Sequence, residues 1–283
     1  MSLSDRSQKL VSNLGALTNM VRRIALEAGE LTLRYHDEGG YAFQDMGVSE
    51  KDDGSPVTLA DKEAEAFIGQ QLSDITPDIP MIGEEGVSNG DIDVSGIGEY
   101  FWLVDPIDGT KEFIAGGNDF TVNIALIHNQ KPILGIVFAP LHGALYAGYE
   151  GGKAVRWLEE TNNNKDITVR KEPRDGLVVM ASKSASYNAK VEGFLEQFKV
   201  RKIMRHGSSL KMCLIAAGRA DIYPRFGPTC LWDTAAAHAV MNAAGGFITD
   251  VEGNDLVYNP STPKLLNPEF IASGFDWFSD LDE

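Results

Sequence analysis

Two carboxylates separated by a proline and an isoleucine, Asp105-Pro106-Ile107-Asp108, are followed directly by Gly109-Thr110-Lys111-Glu112-Phe113. The acids stand at the end of an apolar run, Tyr100 to Val104, which is short and rich enough in aromatic and branched residues to be a buried strand. Pro106 has no N–H for a ladder, so the strand is expected to stop at Asp105 and release both carboxylates onto one tight turn. The N–H groups of Gly109 and Thr110 would then face an anion if a helical turn opens there. Hard oxygen ligands beside an anion-receptive turn are the parts of a Mg²⁺-assisted phosphate site. Asp-Pro and Asp-Gly are each ordinary turn formers; the whole run in this order is more than a turn requires.

Other chemistry-bearing residues recur at element boundaries. Thr58 and Asp61 stand where a helix cap and its third-position acid would stand, ahead of Ala64, Phe67, Ile68 and Leu72 at helical spacing. Asp61 therefore reads as a cap, as a catalytic acid, or as both if that helix opens towards the site. Pro80-Met81-Ile82 runs into Gly83-Glu84-Glu85-Gly86, a strand end whose two acids read equally as exposed loop residues. Asp233 begins a helix at Trp232, where the backbone dipole favours an acid. Ser208, Ser209 and Lys211 open the preceding helix, and Arg225 follows a short strand from Asp221 to Pro224. Hydroxyls, free N–H groups, a lysine and an arginine suit a second phosphate. Lys51, in a polar turn-forming stretch, reads as a solvated loop lysine, and His206 and His238 read as structural.

The elements that must position these groups follow from periodicity. Leu17, Met20, Val21, Ile24, Ala28, Leu31 and Tyr35 mark an amphipathic helix from Leu14 to His36, broken by Gly39-Gly40. After the central motif, 119–128, 132–139 and 144–149 read as successive strands. The run Glu159-Glu160-Thr161-Asn162-Asn163-Asn164-Lys165 has the composition of a linker and divides the chain into 1–160 and 161–283. Beyond it strands and helices alternate, with helices closed by Gly218 and Gly245-Gly246. The expectation is an α/β (α+β) protein with a largely antiparallel first sheet and a second sheet packed with helices.

Composition bounds the function. The 283 residues carry 25 Lys and Arg against 41 Asp and Glu, a formal net charge of −16, with no basic stripe. Binding to a nucleic acid polymer through phosphate contacts is a poor fit to that balance. An acidic protein that handles a phosphate ester must invert its field locally, and bound cations do so efficiently. Two cysteines, Cys213 and Cys230, lack metal-pair spacing, the N-terminus has no apolar signal region, and no run approaches membrane-spanning length. The reading is a cytoplasmic chain, peripheral contact with an inner membrane and oligomeric state being left open.

Gly83-Glu84-Glu85, Trp102 to Phe113, Trp232-Asp233-Thr234-Ala235-Ala236 and Ala244-Gly245-Gly246 together resemble the inositol monophosphatase superfamily of metal-dependent, lithium-sensitive phosphatases. Lys111-Glu112-Phe113, Ser55-Pro56-Val57-Thr58, Gly207-Ser208-Ser209-Leu210-Lys211 and the run from Tyr223 to Thr229 are similar to its 3'(2'),5'-bisphosphate nucleotidase branch, associated with sulfur assimilation. The resemblance extends to Leu266-Asn267-Pro268 and implies a layered αβαβα fold of two subdomains with the site between them. It implies that Glu84, Asp105, Asp108, the Ile107 carbonyl and Asp233 hold two or three Mg²⁺ ions. It implies that Asp61 and Thr110, with Glu84, serve the nucleophilic water, and that Gly109 and Thr110 bind the scissile phosphate with Lys111 and Asp233 beside the substrate. Ser208, Lys211 and Arg225 take the place of nucleotide contacts. The implied reaction is hydrolysis of the 3'-phosphate of adenosine 3',5'-bisphosphate to AMP, the phosphosulfate being a further candidate substrate. The alternatives are an inositol or sugar monophosphatase and, from another class, a non-catalytic metal- or nucleotide-binding sensor. One departure stands out: where the branch has serine-arginine-serine-histidine, this chain reads Ser182-Lys183-Ser184-Ala185. Looser discrimination among bases than among phosphate positions is expected from the missing histidine.

Overall fold

The computed structural model describes residues 3–36, 47–51, 56–90, 94–183 and 189–279. Helix α1 (Asp5–Val11) leads into α2 (Leu14–Leu33), where Leu17, Val21, Ile24, Ala25 and Ala28 line one buried face at helical spacing. α2 ends before the expected His36, in a turn at Arg34 and Tyr35; Gly39-Gly40 lies outside the described residues. Two short antiparallel strands, β1 (Ser49–Glu50) and β2 (Pro56–Val57), precede α3 (Leu59–Ile75). Strand β3 (Met81–Gly83) gives way at once to α4 (Glu84–Ser88), so Glu84 and Glu85 open a helical turn rather than lie in a loop.

The first sheet has seven strands in sequence order: β3, β4 (Tyr100–Asp108), β5 (Thr121–His128), β6 (Lys131–Ala139), β7 (Ala144–Tyr149), β8 (Val155–Leu158) and β9 (Asn163–Asp166). Only β3 and β4 run parallel. A five-residue helix, α5 (Thr110–Ile114), joins β4 to β5. The second sheet contains β10 (Leu177–Ser182), β11 (Val200–His206), β12 (Ile222–Arg225), β13 (Phe247–Asp250) and β14 (Phe270–Ser273), ordered β11-β10-β12-β14-β13. β10 is parallel to both its neighbours and the remaining pairs are antiparallel. Helices α6 (Ala189–Leu195), α7 (Leu210–Ala216) and α8 (Leu231–Ala243) complete this half.

Two sequence expectations are corrected. β4 does not stop at Asp105: Asp105 pairs with Asn123 and Asp108 with Thr121, three steps on one strand against two on the other. The extra residue is a β-bulge, which accommodates Pro106 without breaking the ladder and bends the strand where its acids sit. The linker-like run from Glu159 to Lys165 is instead a hairpin, its second arm β9 pairing with β8, so the first sheet runs on to Asp166. β9 is polar and exposed along its length at the sheet edge, so it carries no apolar alternation to announce it.

Burial on both faces explains the near-continuous apolar strands. In β4, Trp102 and Val104 pack with α2 and α3, while Phe101 and Leu103 face the other core, shared with α7 and α8. In β10, Val178 and Met180 join that central core and Leu177 and Val179 pack outward with Leu195 of α6. The layers are therefore α2/α3, the seven-stranded sheet, α7/α8, the five-stranded sheet and α6. Helix α8 lies close because Gly135 and Gly148 pair across β6 and β7 beneath it: a Cβ on Gly135 would meet the Ala236 carbonyl oxygen at 2.0 Å, and one on Gly148 the Val240 Cα at 2.8 Å. Alanines at 235, 236, 237 and 239 match these gaps. No helix among the described residues is long and apolar enough to cross a membrane, and Cys213 and Cys230 form no disulfide.

Candidate active site

Three element ends deliver the acids. The bulged end of β4 supplies Asp105 and Asp108, and the first turn of α8 supplies Asp233; one carboxylate oxygen from each lies within 4.8 Å of the others. The third end is α3, where Asp61 closes a capping box. Its Oδ2 accepts from the Thr58 N–H at 2.8 Å and the Thr58 hydroxyl at 2.6 Å, while Oδ1 faces the Thr110 hydroxyl at 3.3 Å. Asp233 is held similarly, accepting from the Cys230 N–H at 2.8 Å. Capping thus consumes one oxygen of each acid and fixes the direction of the other. The Ile107 N–H donates to Asp105 at 3.0 Å, and the Ile107 carbonyl accepts from Thr110 at 3.2 Å. Gly109 adopts φ 98°, the left-handed conformation that starts α5.

Electrostatics mark this as a cluster under strain. At 4.8 Å, two full charges repel by about 3–4 kcal/mol if the effective dielectric constant is ~20. Burial, then Glu84, Asp108, Asp233 and Asp61, push the Asp105 carboxyl well above its usual range. Burial, then Asp108 and Glu84, do the same to Asp233. Burial raises Asp61 to about 6 and Glu84 upward, the latter opposed by Lys51. Outside the inner group, Glu65 accepts the Glu85 and Gly86 N–H groups, both at 2.8 Å, and burial raises it to about 7.

These shifts fix a pH dependence. Asp61 rises from 3.8 and Glu65 from 4.5, so the native state binds more protons than the unfolded chain between those values and about 6 to 7. Their contribution to stability is full below the lower values and lost as pH climbs through the upper ones. The metal-free protein is expected to melt at progressively lower temperature from about pH 5 to 8, and Mg²⁺ should flatten the trend by taking the place of the protons. Thermal melts in chelator check this; a melting temperature that rises with pH would contradict it.

Lys51 corrects the sequence reading. Its side chain is 8% exposed, and its ammonium bonds Glu84 at 2.7 Å and Glu85 at 2.6 Å. Burial disfavours that charge, but the two glutamates prevail and hold the lysine above its usual range. On α5, Phe113 turns into the core and Lys111 is exposed.

A cleft lies against the cluster, lined by Asp108, Gly109, Ser208, Lys211, Arg225 and Asp233 among others. Ser209, singled out in sequence only as part of a helix opening, ties the second half to the first. Its N–H and hydroxyl reach Asp108 Oδ2 at 2.6 and 2.9 Å, and the hydroxyl lies 2.6 Å from the Asp233 carbonyl. Asn123 of β5 donates to the same hydroxyl at 2.9 Å. Ser208 precedes the helix with φ 48°, and the Lys211 ammonium sits 5.2 Å from the Tyr223 ring centroid. Arg225 donates to the Ser182 hydroxyl at 3.0 Å and the Pro228 carbonyl at 3.1 Å, while its buried Nε has no partner among the described residues. His238 is structural, bonded to the Tyr258 hydroxyl at 2.9 Å and lowered by burial to about 3. Ser55, Ser184 and Ala185 lie outside the described residues.

The model of the inositol monophosphatase family matches residues 14–274, nearly the whole chain. The chain belongs to the inositol monophosphatase family. Among curated relatives, the 3'(2'),5'-bisphosphate nucleotidase CysQ of Escherichia coli K12 is 43% identical over 257 residues, 91% of this chain and 99% of the relative. CysQ of Buchnera aphidicola is 39% identical over 260 residues, 92% of each chain. Among solved structures, CysQ from Bacteroides thetaiotaomicron, itself described as a bacterial member of the family, superposes with a TM-score of 0.76 at 32% identity, covering 91% of this chain and 97% of that one. The IMPase of Thermotoga maritima gives 0.70 at 26% identity, covering 93% of each. The two-sheet, helix-layered architecture derived above is thus a family property.

Proposed function

We propose that this chain is a Mg²⁺-dependent phosphatase that removes the 3'-phosphate of adenosine 3',5'-bisphosphate to give AMP. The observation that carries the reading is Arg225, with Lys211 and Ser208, in the lining of the same cleft as Asp108 and Asp233. A monophosphate needs only the carboxylate side of such a cleft. A cation set apart from the acids, joined by Lys211 and Ser208, suits a second phosphate that anchors the substrate. CysQ names at high coverage in curated relatives support the same substrate class.

The donor set fits hard divalent cations: Asp105, Asp108 and Asp233 lie within 4.8 Å of one another without sulfur or imidazole, and Glu84, bonded to the Lys51 ammonium, and the Ile107 carbonyl would complete the set. When bound, such ions supply a Lewis acid for the phosphoryl oxygens and lower the pKa of a water. The chain's own residues do the rest. Gly109 and Thr110 offer N–H groups to the scissile phosphate, and Asp61 stands ready to accept a proton at Oδ1 through the Thr110 hydroxyl, its partner at 3.3 Å. A carboxyl raised to about 6 is well matched to that work near neutrality. Residues up to 160 supply these groups, and those from 161 supply Ser208, Lys211, Arg225 and Asp233.

Phosphate release from adenosine 3',5'-bisphosphate, inositol 1-phosphate and fructose 1,6-bisphosphate tests the reading. The nucleotide should be the best substrate. Preference for the inositol ester would overturn the nucleotidase reading and leave a phosphatase of the family.

A further inference from the structure

Asp119, in the loop between α5 and β5, is 3% exposed and takes no part in the acidic cluster. Donors from four places converge on its carboxylate. His142 Nε2 lies 2.8 Å from Oδ1; on Oδ2 the Gly207 N–H donates at 3.0 Å, Lys183 Nζ lies at 2.9 Å and His206 Nδ1 at 3.2 Å. His142 follows β6 in the seven-stranded half, whereas Lys183, His206 and Gly207 stand at the ends of β10 and β11 in the other half. Burial opposes the charge of Asp119, but the Gly207 amide, Lys183 and the histidines outweigh it and hold the carboxyl well below the usual range. The backbones also touch: a Cβ on Gly207 would lie 2.6 Å from the Asp119 carbonyl oxygen, and one on Gly109 would lie 3.4 Å from it.

The segment so gripped is short and doubly tied. Gly207 leads through Ser208, with φ 48°, to Ser209, whose N–H and hydroxyl hold Asp108 at 2.6 and 2.9 Å. Asp119 fixes one end of residues 207–209 and Asp108 the other. Ser208 lies on this segment and Lys211 just beyond it, and both line the cleft with Lys183. The distance from the metal-binding acids to the second-phosphate pocket is therefore set by this tie. Only an acceptor of charge serves all four donors; an asparagine would turn an NH₂ group towards at least one of them.

We propose that Asp119 is a positioning residue that fixes the cleft between the two halves and thereby the preference for substrates with two phosphates, an inference that rests on the functional reading above. Asp119→Asn should lower kcat/KM for adenosine 3',5'-bisphosphate by about 30-fold, mostly through KM, the scale of lost charge-assisted hydrogen bonds. Hydrolysis of inositol 1-phosphate should change by less than about threefold, and Mg²⁺ binding by calorimetry should be unaltered, since no ligand is touched. His206→Ala, at a partly exposed position, removes one donor without threatening the fold and should shift the same ratio by about threefold. Equal losses on both substrates, or a wild-type KM for the bisphosphate in either folded variant, would overturn the proposal. A wild type with no preference for the bisphosphate would instead sink the functional reading, and this inference with it.

Discussion

Asp233→Asn is expected to lower turnover by at least about 10³-fold while leaving the metal-free protein as stable as the wild type, or more so. The loss corresponds to several kcal/mol of transition-state charge stabilisation, the scale at which a divalent cation contributes. The stability expectation has the opposite sign from that of an ordinary core mutation. Burial and the neighbouring Asp108 and Glu84 already push the Asp233 carboxyl up, so its charge is a liability when no cation is present. An asparagine keeps an oxygen for the Cys230 N–H, so the helix cap survives. Asp108→Asn should also abolish turnover, but there the Ser209 N–H and hydroxyl lose part of a charged acceptor. Activity assays with thermal melts in chelator decide the matter. Turnover above about a tenth of wild type in Asp233→Asn would contradict a ligand role.

Arg225→Ala is the second large effect. The side chain lines the cleft, its guanidinium donating to the Ser182 hydroxyl and the Pro228 carbonyl. Its loss should weaken transition-state binding of adenosine 3',5'-bisphosphate by about 1.5–3 kcal/mol, roughly 10- to 150-fold in kcat/KM. Inositol 1-phosphate, with no second phosphate, should lose far less. The comparison is kcat/KM for both substrates in wild type and variant, and equal losses would remove Arg225 from the second-phosphate pocket. Discrimination among bases should remain looser than among phosphate positions in both proteins, because Ala185 stands where the branch has a histidine.

The parts of the site legible in the sequence are those set by local rules. Thr58 and Asp61 form the capping box their spacing implies, and Asp233 likewise bonds back to the start of its helix. Asp105 and Asp108 meet Asp233 because strand ends and helix starts gather at one edge of the layers. What escaped the sequence depends on contacts far along the chain. Lys51 finds Glu84 across 33 positions, and Ser209 finds Asp108 across 101. Nothing near either residue announces the partner. The bulge in β4 was hidden because the rule for proline excludes a regular ladder but not one with an extra residue.

The most direct test of the central claim is the identity of the product, read by phosphorus NMR after incubation of adenosine 3',5'-bisphosphate with the protein and Mg²⁺. The account predicts AMP with its 5'-phosphate intact, one equivalent of inorganic phosphate, and no reaction in excess chelator. Adenosine 3'-phosphate as the product, or undiminished turnover in chelator, would contradict it.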